Sequence, residues 1–206
     1  MGIFPVCTYS AAEKYGTRPQ YIFRRAWRSL ENTAAHYDNK WGTVMKENNL
    51  VITGMGAVTP VGIGVSEYWN ALKEGTCGVG KITRFDASEM PVQIAAELKD
   101  FDPTAYMPKT LARTMDPFMQ FAFIAAEQAI ADSGLCIESE SDRVGIVMGT
   151  AMDGVTTVAQ TQAAFDEGKR VGPRFVPMTI GNIAAAQIAI AHGIHGPSLT
   201  LNTACS

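Results

Sequence analysis

A cysteine set among small polar residues, Asn202-Thr-Ala-Cys205-Ser206, is the strongest candidate for chemistry in this sequence. Small neighbours let a substrate carbonyl and the backbone approach the thiol closely, and the thiolate is an intrinsically strong nucleophile. The residues just before it, Pro197-Ser-Leu-Thr-Leu201, alternate polar and apolar, which predicts a short buried strand ending in a tight turn. A helix beginning after such a corner would lower the thiol pKa through its N-terminal dipole and aim backbone N–H groups at a developing oxyanion. On residue types alone, Cys205 reads either as a nucleophile or as a buried structural thiol.

The other reactive side chains point to simpler roles. Cys7, Cys77 and Cys136 lie far apart with no C-x-x-C pair, so neither a zinc site nor a disulfide framework is expected. Cys77 and Cys136 read as small, semi-buried side chains. His192 and His195 are three apart without a third ligand nearby; no metal is expected, and a histidine near the carbonyl end of a helix is the simpler reading. Gly54-Met-Gly56 follows an apolar run, as in a dinucleotide fingerprint, but Thr59-Pro60 stands where the third glycine belongs. No nicotinamide or flavin cofactor is therefore expected, and the glycines are read as a sharp turn at the edge of the core. Lys109, Arg113, Lys169, Arg170 and Arg174 form two basic clusters, fit either for a solvated face or for docking an acidic partner.

The elements that must position these groups follow from patterning. The chain of 206 residues is 47% hydrophobic with net charge −3, which fits a globular domain with a core and disfavours wholesale nucleic-acid or membrane-surface binding. Its apolar runs fall short of the roughly 18 residues that a bilayer span needs, and no charged-then-apolar leader opens it, so a cytoplasmic location is expected. Composition breaks near residue 50. Residues 1–49 carry seven basic against four acidic side chains, with one short helix expected around Tyr21–Thr33 and a possible arm formed by Arg24, Arg25 and Arg28. From Leu50 the pattern is regular. Leu50–Gly56 predicts a buried strand, Ser66–Lys73 a helix capped by Ser66, and Val92–Leu98 a strand. Asp102-Pro103 and Asp116-Pro117 each look like an N-cap before a proline at the first helical position. The second opens the clearest helix, Pro117–Ser133, with Phe118, Phe121, Ala125 and Ala129 on one face and Gly134 past its end. A strand at Val144–Met148, a helix running to Phe165, a basic loop, an alanine-rich helix over Thr179–His192 and the final strand complete the series. Strands separated by helices imply an α/β fold with a mostly parallel sheet covered on both faces.

Several stretches together resemble the β-ketoacyl-[acyl-carrier-protein] synthases, most nearly the type II enzymes of bacterial fatty-acid synthesis. They are Val51-Ile-Thr-Gly-Met-Gly-Ala-Val-Thr-Pro-Val-Gly62, Met115-Asp-Pro-Phe118, Ala131-Asp-Ser-Gly134, Arg143-Val-Gly145, Phe175-Val-Pro-Met-Thr-Ile-Gly-Asn182 and Gly196-Pro-Ser198, followed by Asn202-Thr-Ala-Cys-Ser206. Their order and spacing carry the resemblance across 50–206, read as an incomplete synthase N-terminal domain; 1–49 is an unrecognised extension. The resemblance implies a thiolase-like layered αβα fold and a decarboxylative Claisen condensation without a cofactor. Cys205 would take an acyl group from a carrier protein, and the carbanion from malonyl-carrier protein would then attack it. Met152, Phe175, Thr179, Ile180 and Asn182 would lie along the acyl pocket and dimer interface of a homodimer. Lys109, Arg113, Lys169 and Arg170 would meet the acidic acyl carrier protein.

The same resemblance places two histidines, a lysine and a glycine-rich loop beyond Ser206. The expectation is therefore a chain that does not complete condensation alone, with a thiol nearer the ordinary value of about 8.5. A sheet face and edge without a second layer would favour aggregation. Alternatives are a carrier-protein-docking or synthase-pairing module without catalysis, and a polyketide-type ketosynthase.

Overall fold

The computed structural model describes residues 51–204. The extension 1–49 with its expected helix, Leu50, Cys205 and Ser206 lie outside the described residues. In chain order the elements are β1 (Val58–Thr59), β2 (Gly62–Ile63), α1 (Val65–Lys73), β3 (Val79–Lys81), β4 (Ile94–Ala96), a 3-10 turn (Pro103–Ala105), α2 (Lys109–Ala112), α3 (Pro117–Ser133), α4 (Ile137–Glu140), β5 (Ile146–Gly149), α5 (Val155–Asp166), α6 (Phe175–Thr179), α7 (Ile183–His192) and β6 (Ser198–Leu201). β5 and β6 run parallel, in register from Ile146 opposite Ser198 to Gly149 opposite Leu201.

α3 organises the rest. Its start follows the sequence rule: Asp116 is the N-cap, its Oδ1 accepting from the Phe118 N–H at 3.2 Å, and Pro117 loses no intrahelical bond at the first position. Its end is closed by Gly134 in the left-handed conformation, at φ 64°. Met119, Ala122, Phe123, Ile124, Ala125, Ala126 and Ala129 are all buried, so α3 is enclosed nearly all round. Phe118 and Phe121, expected on the buried face, lie at its half-buried margin. There Phe121 meets Phe101 edge-on at 5.1 Å. The alanines let α7 pack closely, and Ala184, Ala185 and Ile188 complete that contact. Ile146 and Met148 of β5 join the same cluster.

Four expectations are corrected. Residues 51–57 are not a strand. The Met55 N–H donates to Asp132 Oδ2 at 3.0 Å and the Ala57 N–H to Gln128 Oε1 at 2.9 Å, so side chains of α3 take the bonds that a strand neighbour would have made. Gly54 and Gly56 are not turn residues either. Neither has a positive φ, and a Cβ on them would collide with the carbonyl oxygens of Ala129 and Ala125; they permit close approach to α3. The first helix begins at Val65 after Gly64, with Ser66 inside it. No side chain caps its first turn; Glu67 reaches back instead to accept the Ile63 N–H at 3.0 Å, ahead of the helix. The alanine-rich helix is shorter than expected: it begins at Ile183, and Thr179 ends the separate α6, with Ile180 between them extended at φ −80° and ψ 131°.

The described strands make three separate two-stranded pairs, of which β5–β6 is parallel and β1–β2 and β3–β4 are antiparallel hairpins. The parallel pair is covered by helices on one face. On the other, Val147, Leu199 and Leu201 are exposed, against the expectation of cover on both. A parallel pair still requires crossover helices, which α5, α6 and α7 supply, so the chain is α/β.

Candidate active site

Because β5 and β6 are parallel and in register, the segments that leave their C-terminal ends emerge side by side. Such edges are where open α/β sheets bind ligands. The Thr150 N–H donates to the Leu201 carbonyl at 2.9 Å, continuing the ladder one residue past β5. Beyond it Asp153 gathers three segments. Its Oδ1 accepts from the Thr150 hydroxyl at 2.7 Å, and its Oδ2 accepts from Asn202 Nδ2 at 3.2 Å. The same carboxylate lies so close to Gly181, between α6 and α7, that a Cβ there would overlap it. Ala204 then turns the chain in the left-handed region at φ 49°. For a residue with a Cβ this costs on the order of 1–3 kcal/mol and persists where the surroundings hold it. The expected tight turn is present one residue before Cys205, which itself lies outside the described residues.

The acyl-side candidates fall on two neighbouring segments. Met152 is 69% exposed between the Thr150 and Asp153 anchors. The backbone of Gly154 abuts Met178 and Thr179, which brings this loop against the end of α6. Thr179 closes α6, its hydroxyl donating to the Phe175 carbonyl at 3.0 Å. Ile180 is exposed, and Asn182 is the N-cap of α7 without a side-chain capping bond. Met152, Thr179, Ile180 and Asn182 thus share one locality, with Phe175 at the other end of α6.

The basic candidates stay on separate elements. Lys109 opens α2 and Arg113 follows it, both exposed. Lys109 also adds to the lowering of the Asp102 carboxyl, whose main cause is the hydrogen bond from the Thr104 hydroxyl. Lys169 pairs with Glu167 at 2.6 Å after α5, and Arg170 and Arg174 beyond it are exposed. The two histidines engage different carboxylates: His192 Nε2 lies 2.6 Å from Glu127 Oε1, and His195 Nδ1 lies 3.4 Å from Asp142 Oδ1. His192 is the last residue of α7, at the carbonyl end where a histidine was expected. Cys77 and Cys136 are exposed, not semi-buried.

The sequence reading missed the second partner of one carboxylate and the role of another. Asp116 was seen as the cap of one helix, yet its Oδ2 also accepts the Thr157 N–H at 2.8 Å in the first turn of α5. At 2% exposure it caps two helices at once and holds α5 to the start of α3. Asp153 sat unremarked inside Gly149-Thr-Ala-Met-Asp-Gly154. An aspartate after a strand is a loop residue by default, and only its fit against Gly181 and Asn202 distinguishes it.

Comparison with known proteins adds the following. Residues 47–206 match the model of the family described as "Beta-ketoacyl synthase, N-terminal domain". The chain is 42% identical over 165 residues to 3-oxoacyl-[acyl-carrier-protein] synthase 2 of Coxiella burnetii, covering 79% of this chain and 40% of that protein. Among solved structures it is similar to the ishigamide ketosynthase/chain length factor, with a TM-score of 0.64, 26% identity, and 76% of this chain and 40% of that one covered. It is also similar to a ketosynthase bound to hexaketide, in complex with a type II PKS acyl-carrier protein, with a TM-score of 0.60 and 26% identity. There 74% of this chain and 42% of that one are covered. The chain therefore spans about two-fifths of the length of these relatives.

Proposed function

The chain belongs to the β-ketoacyl synthase family, and on that premise we propose that it serves a 3-oxoacyl-[acyl-carrier-protein] synthase of fatty-acid chain elongation, with Cys205 as the acyl acceptor. One observation carries the reading. The loops after β5 and β6 are tied together at Asp153, immediately ahead of the left-handed turn that leads into the cysteine. In the first half-reaction the Cys205 thiolate attacks the thioester carbonyl of a loaded carrier protein. The carrier thiolate leaves and takes a proton, and the acyl group stays on the sulfur. Met152 and Ile180 offer exposed apolar side chains to the acyl chain beside Thr179 and Asn182, with Phe175 further along α6. Decarboxylation of malonyl-carrier protein supplies the carbanion for the second half-reaction. His192 and His195, turned toward Glu127 and Asp142, take no part in it.

The partner in this reading is an acidic acyl carrier protein, met by Lys109, Arg113, Lys169 and Arg170. Support comes from their exposure and from the relative solved with a carrier protein bound. A cytoplasmic homodimer is part of the same proposal; among the described residues no helix is long and apolar enough to cross a membrane. The fatty-acid assignment is preferred to a polyketide one because identity is 42% to the Coxiella burnetii synthase and 26% to the ketosynthase solved with a type II PKS acyl-carrier protein.

The test is acyl transfer from a loaded carrier protein to the 206-residue chain at pH 9, where an ordinary thiol of pKa about 8.5 is mostly thiolate. The expected result is an acyl mass adduct on the Cys205 peptide, absent in Cys205→Ala. Lys169→Glu with Arg170→Glu should slow transfer at low salt, and the difference should shrink at high salt. An unmodified Cys205 would overturn the acyl-acceptor assignment.

A further inference from the structure

We infer that Asp153 is a positioning residue for the acyl-transfer reaction, a latch that fixes the acyl-side loop carrying Met152 against the turn that delivers Cys205. The inference rests on the acyl-acceptor reading above and adds to it a residue that sequence motifs did not single out. Both carboxylate oxygens are used, and they bond to opposite sides of the site: Oδ1 to Thr150 after β5 at 2.7 Å, Oδ2 to Asn202 after β6 at 3.2 Å. Its third neighbour, Gly181, lies in the break between α6 and α7, and any side chain there would displace the carboxylate. Three segments from distant parts of the chain thus depend on one group.

The latch has a mechanical reason. Ala204 sits at φ 49°, a conformation that an alanine does not keep without help. Asn202, two residues earlier, bonds out of that turn to another element, and its partner is Asp153. On the other side, Met152 is confined between the Thr150 and Asp153 anchors, and the Thr150 hydroxyl also lies 3.3 Å from the Met152 carbonyl. Breaking the Asp153–Asn202 bond leaves the Thr150–Leu201 backbone bond as the tie between the two segments, and loosens the cysteine turn relative to the loop beyond Thr150. Acyl transfer needs both in register, whereas a small reagent attacking the thiol does not.

A charge-swap cycle tests this. Asp153→Asn removes the charge and leaves at most a weaker neutral amide–amide hydrogen bond, and Asn202→Asp sets two carboxylates against each other. The double variant restores one amide donor facing one carboxylate, with the Thr150 hydroxyl still accepted by residue 153. Each single variant should slow acyl transfer to Cys205 by about three- to tenfold, as for an exposed hydrogen bond to a charged group. The double should recover to within about threefold of the parent, while alkylation of Cys205 by iodoacetamide stays within about twofold in all four proteins. Amide exchange at Met152 and at 202–204 should quicken in each single variant and slow again in the double. Additive losses in the double, or unchanged transfer in the singles, would overturn the latch. If the parent chain accepts no acyl group, the acyl-acceptor reading fails instead. Amide exchange alone then decides the latch: coupled loss and recovery uphold it, and unchanged exchange refutes it.

Discussion

Ile146 and Met148 point from β5 into the cluster that holds α3 and α7 and are buried, at 9% and 5% exposure. Val147, between them, faces the other way at 70% exposure, beside Leu199 and Leu201 of β6. Both faces of β5 carry large apolar side chains, in opposite surroundings. Only the inner face gains from burial, roughly 1.5–3 kcal/mol for each large side chain removed from water. The outer face has the composition of a covered face without a covering layer among the described residues; in β6, where Ser198 and Thr200 alternate with Leu199 and Leu201, the leucines are the ones that face outward. Apolar sequence thus marks what a strand is suited to bury, while position in the fold decides whether that stabilises it.

The comparison breaks most visibly by truncation. Met119→Ala, at a side chain 1% exposed in the first turn of α3, should cost about 2–5 kcal/mol. Val147→Ala on the open face should stay within about 0.5 kcal/mol. Urea unfolding of both variants reads the contrast, and equal losses would mean that the outer face is covered after all. Asp116→Ala comes next. It uncaps α3 and α5 together, and with about 0.5–2 kcal/mol per cap the loss should approach 2–3 kcal/mol. Asp116→Asn keeps only one carbonyl acceptor and should retain part of the stability. A loss below 1 kcal/mol for the alanine variant would show that the double cap is structurally redundant.

The smallest expected effect lies in the exposed β3–β4 hairpin, far from the buried cluster in character. The Thr83 hydroxyl hydrogen bond at 2.7 Å holds the Glu97 carboxyl below its ordinary range, with the Thr83 and Arg84 N–H groups adding to it. A carboxyl lowered in the folded state stabilises it at pH values above the ordinary range near 4.3, and that contribution is lost as the pH falls. Amide exchange at Ile82, bonded to the Gln93 carbonyl at 3.0 Å, should therefore quicken below about pH 4 in the parent. Glu97→Gln should flatten that dependence, and an unchanged profile would remove Glu97 as its cause.

Local signals carried much of the fold into view before any coordinates. Asp116-Pro117 and Gly134 marked both ends of α3, because a cap and a left-handed glycine act on the backbone beside them. β5, α5 and β6 were legible as elements for the same reason, since their patterns are local, but β6 was expected to be buried and its leucines are exposed. The failures share a cause as well. The Leu50–Gly56 run is as apolar as a strand, but Asp132 and Gln128, more than seventy residues away, hold the backbone N–H groups of Met55 and Ala57. Thr179–His192 reads as one helix, yet the chain breaks at Ile180, next to the glycine against which Asp153 packs.

The sequence by itself determined the family, the nucleophile candidate, and the segments that carry the proposed acyl-side residues, since each is written in contiguous motifs. Tertiary structure decided which of those segments meet. Asp116 caps a helix forty-one residues away, and Asp153 reaches forty-nine residues to Asn202, because parallel strands bring the ends of distant elements to one edge. A carboxylate has two oxygens. Proximity in the chain can assign a partner to the first, and only the folded chain supplies the second.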